Sequence, residues 1–512
     1  MIARKSFLVF LNMVVGALLG TIAMFFIFRY MGSGAYGLIG FGLSIVGVFA
    51  IIMSLGFDSA HVKRVSEGQD LKSCIGTFLV IKLVLIGIMA GAVLLGIFFW
   101  KAVLGFGFET PDSEPIIYIF ILYYAVLGIA SVPLATYSAR RETAKQQLPG
   151  MIEPLVRVPI IIIVALGAFG VFALAGAWLL GVVALMIVSL ILFRKYPIGK
   201  FDRGLFRQYK NFAAPIAISS SVRVLNSYVD KIMLQLFWGS TYVGYYFGVQ
   251  NLTKFLVLMA LAVSMLLFPT LSQHHAKEEY GEVRKLTGTA ERYVSLVIMP
   301  IAMLFIVIPK SILGIFDGDL AANGWRTLQI MAFYSAVFCF YLIFMNQLMG
   351  VDKPRSVAKV GVSMSAINII LNLILIPKDI KSLGLTLFGL GPEGAAIATL
   401  ISAVYGLVMV KIITRRITET KWNPRILLHI GAALFAGGII YYLSSIVVID
   451  SWYEVGGTAL LGIGIYVGFL ALLREFTKKD LKFFLDILNP KSMKDYVASE
   501  IKDKNNMGKK EP

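Results

Sequence analysis

Charged residues and cysteines are scarce in this chain of 512 residues. Only 15% of the residues are charged, whereas about a quarter is usual in a soluble domain. Both cysteines, Cys74 and Cys339, lie in or beside apolar runs, which excludes a secreted disulfide scaffold. Because 58% of the residues are apolar and the mean hydropathy is +0.81, a soluble enzyme and a disordered chain are excluded as well.

Motifs for ATP hydrolysis and metal binding are also missing from the sequence. It has no Gly-x-x-x-x-Gly-Lys-Ser/Thr loop, no His-Glu-x-x-His and no Cys-x-x-Cys. We therefore expect no cofactor, no metal and no enzymatic activity. A membrane glycosyltransferase or polysaccharide polymerase would need long outer loops with catalytic side chains. Asp317 and Asp319 lie on a short loop, so this class is the least favoured alternative.

Apolar runs of about 20 residues recur along the chain, and each could cross the roughly 30 Å core of a bilayer as a helix. The runs are continuous rather than alternating, which excludes a transmembrane β-barrel. We predict an all-α polytopic membrane protein with fourteen spans, in which only Gly167 and Gly170 mark the break between the fifth and the sixth. The predicted spans are residues 6–28, 36–57, 74–100, 115–136, 151–169, 171–193, 212–238, 243–269, 293–316, 328–350, 360–377, 394–413, 426–446 and 455–473.

The positions of lysine and arginine predict the orientation. With a cytoplasmic N-terminus, 36 of the 47 basic residues fall on cytoplasmic loops and the tail, and six fall on the other side, as the positive-inside rule requires. We expect a plasma-membrane protein with both termini in the cytoplasm and no cleavable signal peptide. In the tail, Leu481, Phe484, Leu485 and Leu488 have the spacing of a helix lying on the inner leaflet. A solvated tail is the alternative.

One turn motif occurs twice. Residues 32–37 read Gly-Ser-Gly-Ala-Tyr-Gly and residues 239–244 read Gly-Ser-Thr-Tyr-Val-Gly, so three of six positions match at an offset of 207. We expect two parallel six-helix bundles related by a pseudo-two-fold axis along the membrane normal. The predicted segments are 1–195 for the N-terminal bundle, 196–210 for a basic cytoplasmic linker, 211–415 for the C-terminal bundle, 416–474 for two additional helices and 475–512 for a basic cytoplasmic tail.

Ionisable side chains inside the spans are the candidates for function, because each one costs several kcal/mol to place there. We predict that four cations bind an anionic substrate in a water-filled cavity: Arg223 and Lys254 near the membrane midplane, and Lys82 and Arg157 nearer the inner surface. Polar or gating roles in the same cavity are predicted for Asn226, Asp230, Lys231, Gln250, Glu153, Asp58, Asn368 and Asn372. The alternatives are buried ion pairs and hydrogen bonds that join helices.

Four motifs follow one another along the chain: Phe-Arg-Tyr-Met-Gly-Ser-Gly-Ala-Tyr-Gly at 28–37, Leu-Gly-Phe-Asp at 55–58, Val-Asp-Lys-Ile-Met-Leu at 229–234 and Gly-Pro-Glu-Gly-Ala-Ala-Ile-Ala-Thr at 391–399. Together they resemble Wzx-type oligosaccharide flippases of the multidrug, oligosaccharidyl-lipid and polysaccharide exporter superfamily, over residues 5–475. The resemblance implies two six-helix bundles around a central cavity that opens alternately to each side. It also implies a polyprenyl-diphosphate-linked oligosaccharide as the substrate.

We therefore predict a secondary transporter that flips this lipid-linked oligosaccharide for cell-surface glycan biosynthesis. Membrane lipids are further partners, H⁺ and Na⁺ are both open as the coupling ion, and we expect a monomer that binds no nucleic acid. A multidrug or lipid-linked peptidoglycan-precursor exporter of the same fold is the alternative. Cationic drugs are disfavoured because the span interiors have more basic than acidic residues and the first span has no carboxylate.

Overall fold

The computed structural model is almost entirely helical over the residues that it describes, which are 2–103, 105, 107–380 and 385–476. Within these ranges, the side chains of residues 2–7, 215, 218–224, 226, 259, 262, 264–266, 269, 380 and 385 are not described. The predicted tail helix, with Leu481 and Phe484, lies outside the described residues.

The described helices are α1 (Ile2–Phe49), α2 (Ile51–Ser54), α3 (Phe57–Ser66), α4 (Leu71–Phe98), α5 (Ser113–Ala139), α6 (Thr143–Leu166), α7 (Gly170–Phe193), α8 (Arg203–Trp238), α9 (Ser240–Ala276), α10 (Tyr280–Val307), α11 (Pro309–Gly314), α12 (Gly318–Gly350), α13 (Pro354–Leu375), α14 (Gly391–Thr418), α15 (Arg425–Ile446) and α16 (Trp452–Leu472). A π-helical turn, Phe99–Val103, extends α4. Between α13 and α14, strands β1 (Asp379–Ile380) and β2 (Leu385–Thr386) pair antiparallel.

The helices confirm a multi-pass membrane protein. Among the described residues, 11 helices are long and apolar enough to cross a membrane. The first of them, in α1, covers the first predicted span and the beginning of the second, which was predicted to run to residue 57 but is broken after Phe49 into α2 and the start of α3. The long helices α8 and α9 contain the predicted seventh and eighth spans. The break between the fifth and sixth spans is confirmed, because α6 ends at Leu166 and α7 begins at Gly170, where φ is +82°. The count of fourteen stays a prediction.

The repeated turn motif has the same backbone geometry in both copies. At Gly32, φ is 82° and ψ is 171°, and at Gly239, φ is 87° and ψ is 175°. Only glycine adopts this region without strain, which explains why the motif begins with glycine in both copies. Each glycine precedes a long helical segment, the second part of α1 in one case and α9 in the other.

The most extensive contact between two helices joins α1 to α9. Since α1 belongs to the predicted N-terminal bundle and α9 to the predicted C-terminal bundle, side chains from both segments meet along this line. The C-terminal helices α15 and α16 pack mainly against α10, through a cluster that includes Met303, Ala436 and Tyr466.

Candidate functional site

Arg157 is half-buried on α6 and forms an ion pair within its own helix. Its Nε atom is 2.6 Å from Oε1 of Glu153, one helical turn away. The guanidinium also lies 5.0 Å from the centre of the Trp178 ring on α7, a geometry in which the ring face attracts the cation. Gly181 allows this close packing, since a Cβ there would lie 2.9 Å from Cβ of Arg157.

Lys254 lies in the middle of α9 and keeps an exposed side chain. Its ammonium donates a hydrogen bond to Oδ1 of Asn251 at 2.6 Å and lies 5.7 Å from the centre of the Phe247 ring. Asn251 in turn donates to the hydroxyl of Tyr36 on α1, and the Tyr36 and Phe247 rings stack at 4.8 Å. Lys254 is therefore held at the contact between α1 and α9.

Two cations from other helices act on Lys254 at this place. The ammonium of Lys254 is under the positive charges of Lys231 on α8 and Arg157 on α6. Arg157 also acts on the hydroxyl of Tyr36. The structure thus brings together Arg157 from the predicted N-terminal bundle with Lys231 and Lys254 from the predicted C-terminal bundle. Such a group of cations can bind a multiply charged anion.

Asp230 and Lys231 are both buried on α8. Nζ of Lys231 is 3.3 Å from Oδ1 of Asp230 and donates to the carbonyl of Ser227 at 2.7 Å. Gln250 on α9 donates to the other carboxylate oxygen of Asp230 at 3.2 Å. This arrangement joins α8 to α9, the helix that carries Lys254.

Asn368 and Asn372 form a separate buried group on α13. Asn372 donates to Oδ1 of Asn368 at 3.0 Å, and Asn368 donates to the hydroxyl of Thr399 on α14 at 3.3 Å. These contacts match the alternative of hydrogen bonds that join helices. Oδ1 of Asn372 is buried and has no hydrogen-bond partner among the described residues.

Lys82 is buried on α4 and lies apart from the Arg157 group. Its ammonium is 2.8 Å from the carboxylate of Asp58 on α3 and donates to the carbonyl of Met53 at 2.9 Å. Asp58 also accepts a hydrogen bond from Ser54 at 2.9 Å. The structure therefore places Lys82 and Asp58 in an ion pair that fastens α4 to the short helices α2 and α3.

Arg223 and Asn226 lie on the course of α8, but their side chains are outside the described residues. Their predicted roles stay predictions.

Glu109 is a residue that the sequence reasoning missed. It lies in the connection before α5, yet its carboxylate accepts hydrogen bonds from the side chain of Gln235 and from the backbone N–H of Ser240 at 2.8 Å. The Ser240 hydroxyl also donates to it at 3.2 Å. Ser240 is the first residue of α9, where unpaired N–H groups attract an anion. Glu109 thus ties the predicted N-terminal bundle to the end of α8 and the start of α9.

Comparison with known proteins identifies the family. Residues 26–320 match the family described as polysaccharide biosynthesis protein. The chain belongs to this family. It is 23% identical to Agl15 of Haloferax volcanii, named a probable low-salt glycan biosynthesis flippase, across 92% of this chain and 94% of that protein. AglR of the same organism, named a probable flippase, is 27% identical over 36% of this chain and 37% of its own length.

Solved transporters have the same fold. The lipid II flippase MurJ, in an inward closed conformation, superposes with a TM-score of 0.74 at 15% identity, covering 94% of this chain and 99% of MurJ. An inward-facing multidrug resistance MATE family transporter of the MOP superfamily superposes with a TM-score of 0.64 at 14% identity, covering 79% and 96% of the two chains. The predicted all-α fold of the flippase and exporter superfamily is confirmed.

Proposed function

We propose that this protein flips a polyprenyl-diphosphate-linked oligosaccharide across the plasma membrane and binds the diphosphate with Arg157 and Lys254. One observation carries the proposal: Lys254 is held at the line where the two predicted bundles meet by Asn251 and Phe247, and its ammonium is under the charges of Arg157 on α6 and Lys231 on α8. Like charges are kept this close at a cost, so their placement favours a site that is completed by an anion.

The chemistry of the substrate fits these side chains. A guanidinium can hold a phosphate through two parallel hydrogen bonds, and an ammonium adds a point charge. The rings of Trp178 and Phe247 lie 5.0 and 5.7 Å from the cationic groups of Arg157 and Lys254, where the face of each ring attracts the charge. The polyprenyl chain stays in the bilayer in this proposal, between the two bundles.

In the proposal, Glu153 and Asp230 balance part of the positive charge of the site. Each carboxylate neutralises one cation, Arg157 or Lys231, while Lys254 has a hydrogen bond to a neutral amide. Lys254 is therefore the cation with the largest share of its charge left for a substrate. An arriving diphosphate takes over part of the pairing of the other two cations.

The relatives support the class of substrate. Agl15 is named for glycan biosynthesis and MurJ for lipid II, so both names concern glycan building blocks. We propose that residues 1–195 and 211–415 form the two bundles that move against each other, with both termini in the cytoplasm. Either H⁺ or Na⁺ serves as the coupling ion in this proposal.

The test is a flipping assay with the purified full-length chain in proteoliposomes. The substrate is a fluorescent polyprenyl-diphosphate-linked oligosaccharide, and its accessibility to a glycosidase outside reports translocation, with pH or Na⁺ gradients imposed in parallel. We expect translocation by the wild type, retention of most of it in Lys254→Arg, and a loss of roughly tenfold or more in Lys254→Gln. Equal rates for Lys254→Gln and the wild type would overturn the assignment of Lys254, and no translocation above empty liposomes would overturn the proposed function.

A further inference from the structure

A second cationic site lies at the end of α14, away from the contact between α1 and α9. A cavity of about 430 Å³ opens there, lined by Val408, Lys411, Ile412, Arg415, Thr420, Lys421 and Trp422. We refer to these residues as the Trp422 pocket. The helix α14 packs mainly against α12 and α13, so the pocket lies on the predicted C-terminal bundle.

The pocket has more positive than negative charge. Lys411 is buried, and its Nζ atom lies 4.0 Å from the centre of the Phe344 ring, 4.4 Å from that of Trp422 and 3.9 Å from Oε1 of the fully buried Glu291. It has no hydrogen-bond acceptor. Arg415 and Lys421 are exposed, and no carboxylate of the described residues lies within ion-pairing distance of either. Two positive charges in the pocket, those of Arg415 and Lys421, therefore have no ion-pair partner in the part of the chain that the structure describes.

The shape of the pocket is set by the turn that follows α14. Glu419 has a φ of +56°, which turns the chain back over the helix. Gln347 on α12 donates to the hydroxyls of Thr418 and Thr420 at 3.0 and 2.8 Å. The Trp422 ring meets Phe344 edge-on at 5.5 Å. Gln347 thus holds the two threonines of this turn and Phe344 contacts the Trp422 ring, so α12 sets the position of the turn beside Lys411.

A stripe of exposed apolar side chains leads along α14 to this pocket. Ile401, Val404, Val408 and Ile412 are each more than two-fifths exposed, and their spacing places them on one face with Arg415. From Ile401 to Arg415 the helix rises about 21 Å, at 1.5 Å per residue. On a membrane protein, such a stripe faces hydrocarbon, so a ligand that contacts both the stripe and the pocket must be an amphiphile.

We propose that the Trp422 pocket binds the headgroup of an anionic phospholipid. The phosphate lies against Arg415 and Lys421, and the acyl chains lie along the stripe of α14. Basic pockets between spans bind such headgroups, and tryptophan is favoured at the depth of the headgroups. The predicted topology puts this end of α14 on the cytoplasmic side. The site is distinct from the Arg157 and Lys254 site, and its test measures lipid binding, which does not depend on transport.

The test is native mass spectrometry of the full-length chain, titrated with phosphatidylglycerol. The variant Arg415→Gln/Lys421→Gln should weaken binding roughly thirtyfold, because each basic residue near a charged headgroup contributes a factor of about five. The matched control is Arg416→Gln/Lys359→Gln, which removes the same charge from exposed residues outside the pocket and should bind as the wild type does. The swap Arg415→Lys/Lys421→Arg keeps both charges and should bind within a few-fold of the wild type.

Competition experiments distinguish a phospholipid headgroup from a free phosphate compound as the ligand of the pocket. Phosphatidylcholine should bind much more weakly than phosphatidylglycerol, and glycerol phosphate, which has no acyl chains, should not displace the lipid. Equal loss in the pocket variant and in the control would overturn the proposal, since it would show a general attraction to surface charge. Displacement by glycerol phosphate at equal concentration would also overturn it, because the stripe would then have no role. Size-exclusion profiles of all variants check that the fold is retained.

Discussion

Gly37 packs directly against the backbone of Ser240, so closely that a Cβ on Gly37 would overlap the Ser240 carbonyl oxygen. The same relation holds in reverse, because a Cβ on Gly244 would overlap the carbonyl oxygen of Ser33. Gly37 and Gly244, like Ser33 and Ser240, are 207 residues apart. The two copies of the turn motif therefore meet each other in a reciprocal contact, at the end of the bundle predicted to face outward.

The first prediction concerns this contact. Gly37→Ala should force the two turns apart, because the added methyl group meets backbone that cannot rotate away. Gly34→Ala is the matched control in the same turn, since its Cβ would lie 3.6 Å from the nearest atom, a side-chain oxygen of Thr241. We expect Gly37→Ala, but not Gly34→Ala, to make the interior of the protein accessible to reagents from the outer side of the membrane.

The measurement is labelling of Gln250→Cys by a membrane-impermeant thiol reagent in whole cells, in a chain that lacks Cys74 and Cys339. Labelling should increase roughly tenfold in Gly37→Ala. This corresponds to a loss of about 1.4 kcal/mol in the free energy that favours the state closed to the outside. Equal labelling in the two alanine variants would contradict a close contact at Gly37.

Glu109 should help to hold the same end closed. Its carboxylate accepts hydrogen bonds from Gln235 and Ser240, and a charged acceptor makes such bonds worth about 1.5–3 kcal/mol each. Glu109→Gln turns one oxygen into a donor that faces other donors, so labelling of Gln250→Cys should rise at least tenfold. Glu114→Gln is the control, because Glu114 pairs with Lys101 in its own segment at 2.7 Å. If Glu114→Gln raised labelling as much, Glu109 would have no special part in closure.

His61 predicts a pH dependence of stability. It is buried on α3 between Thr136 on α5 and Tyr209 on α8. Its Nε2 lies 2.9 Å from the Thr136 hydroxyl and its Nδ1 lies 3.0 Å from the Tyr209 hydroxyl. The Thr136 hydroxyl donates to the carbonyl of Val132, so Nε2 donates to it and neutral Nδ1 accepts from Tyr209. Burial, with a smaller effect of Lys82, lowers the pKa of His61 from 6.5 to about 3.

Because the pKa of His61 is lowered in the folded protein, His61 binds a proton in the unfolded chain at pH values at which it stays neutral in the folded chain. This contribution to stability is complete above pH 6.5 and is lost as the pH falls toward 3. Between pH 6.5 and 5, the wild type should lose roughly 2 kcal/mol of unfolding free energy through His61. His61→Gln should lack that loss, whereas His274→Gln, at a half-buried histidine in the last turn of α9, should keep it. Denaturant titrations of the purified protein at both pH values measure the difference, and identical pH dependence in His61→Gln and the wild type would refute the prediction.

The ion pair of Lys82 and Asp58 predicts an asymmetry between its two members. Lys82 has 3% of its side chain exposed and Asp58 has 33%, so an unpaired lysine has less access to water than an unpaired aspartate. Asp58→Asn should therefore destabilise the protein more, by up to about 3–5 kcal/mol, than Lys82→Met. The double variant Asp58→Asn/Lys82→Met should recover much of the loss. Thermal unfolding in detergent measures all three, and a double variant less stable than Asp58→Asn would contradict a structural pair.

Most of the fold could be predicted from two features of the sequence, the apolar runs and the repeated turn that begins with glycine. The spans are visible because each must hide its backbone in a continuous apolar helix, and Gly32 and Gly239 are visible because the motif repeats. The partners of the charged residues are not visible in this way. Nothing in the chain near Glu109 points to Ser240, 131 residues away, since an ion or hydrogen-bond pair between distant segments leaves no spacing pattern.

For the same reason, the depth of a charged residue in its span does not by itself determine the role of that residue. Lys82 and Arg157 were both predicted from their position inside a span. The structure pairs Lys82 with Asp58 on another helix, whereas Arg157 pairs within its own helix and its charge acts on Lys254. What separates them is which helix faces which, and this depends on the tertiary packing of α1, α6 and α9.

The central claim, that Arg157 binds substrate rather than only neutralising Glu153, is tested most directly by comparing Glu153→Gln with Glu153→Gln/Arg157→Gln in the proteoliposome flipping assay. Both variants lack the acid, so neither leaves a buried carboxylate unpaired, and equal thermal stability of the two can be checked first. We predict that Glu153→Gln flips the lipid-linked oligosaccharide within a few-fold of the wild type and that the double variant loses at least roughly tenfold more. Equal flipping rates in the two variants would contradict the account.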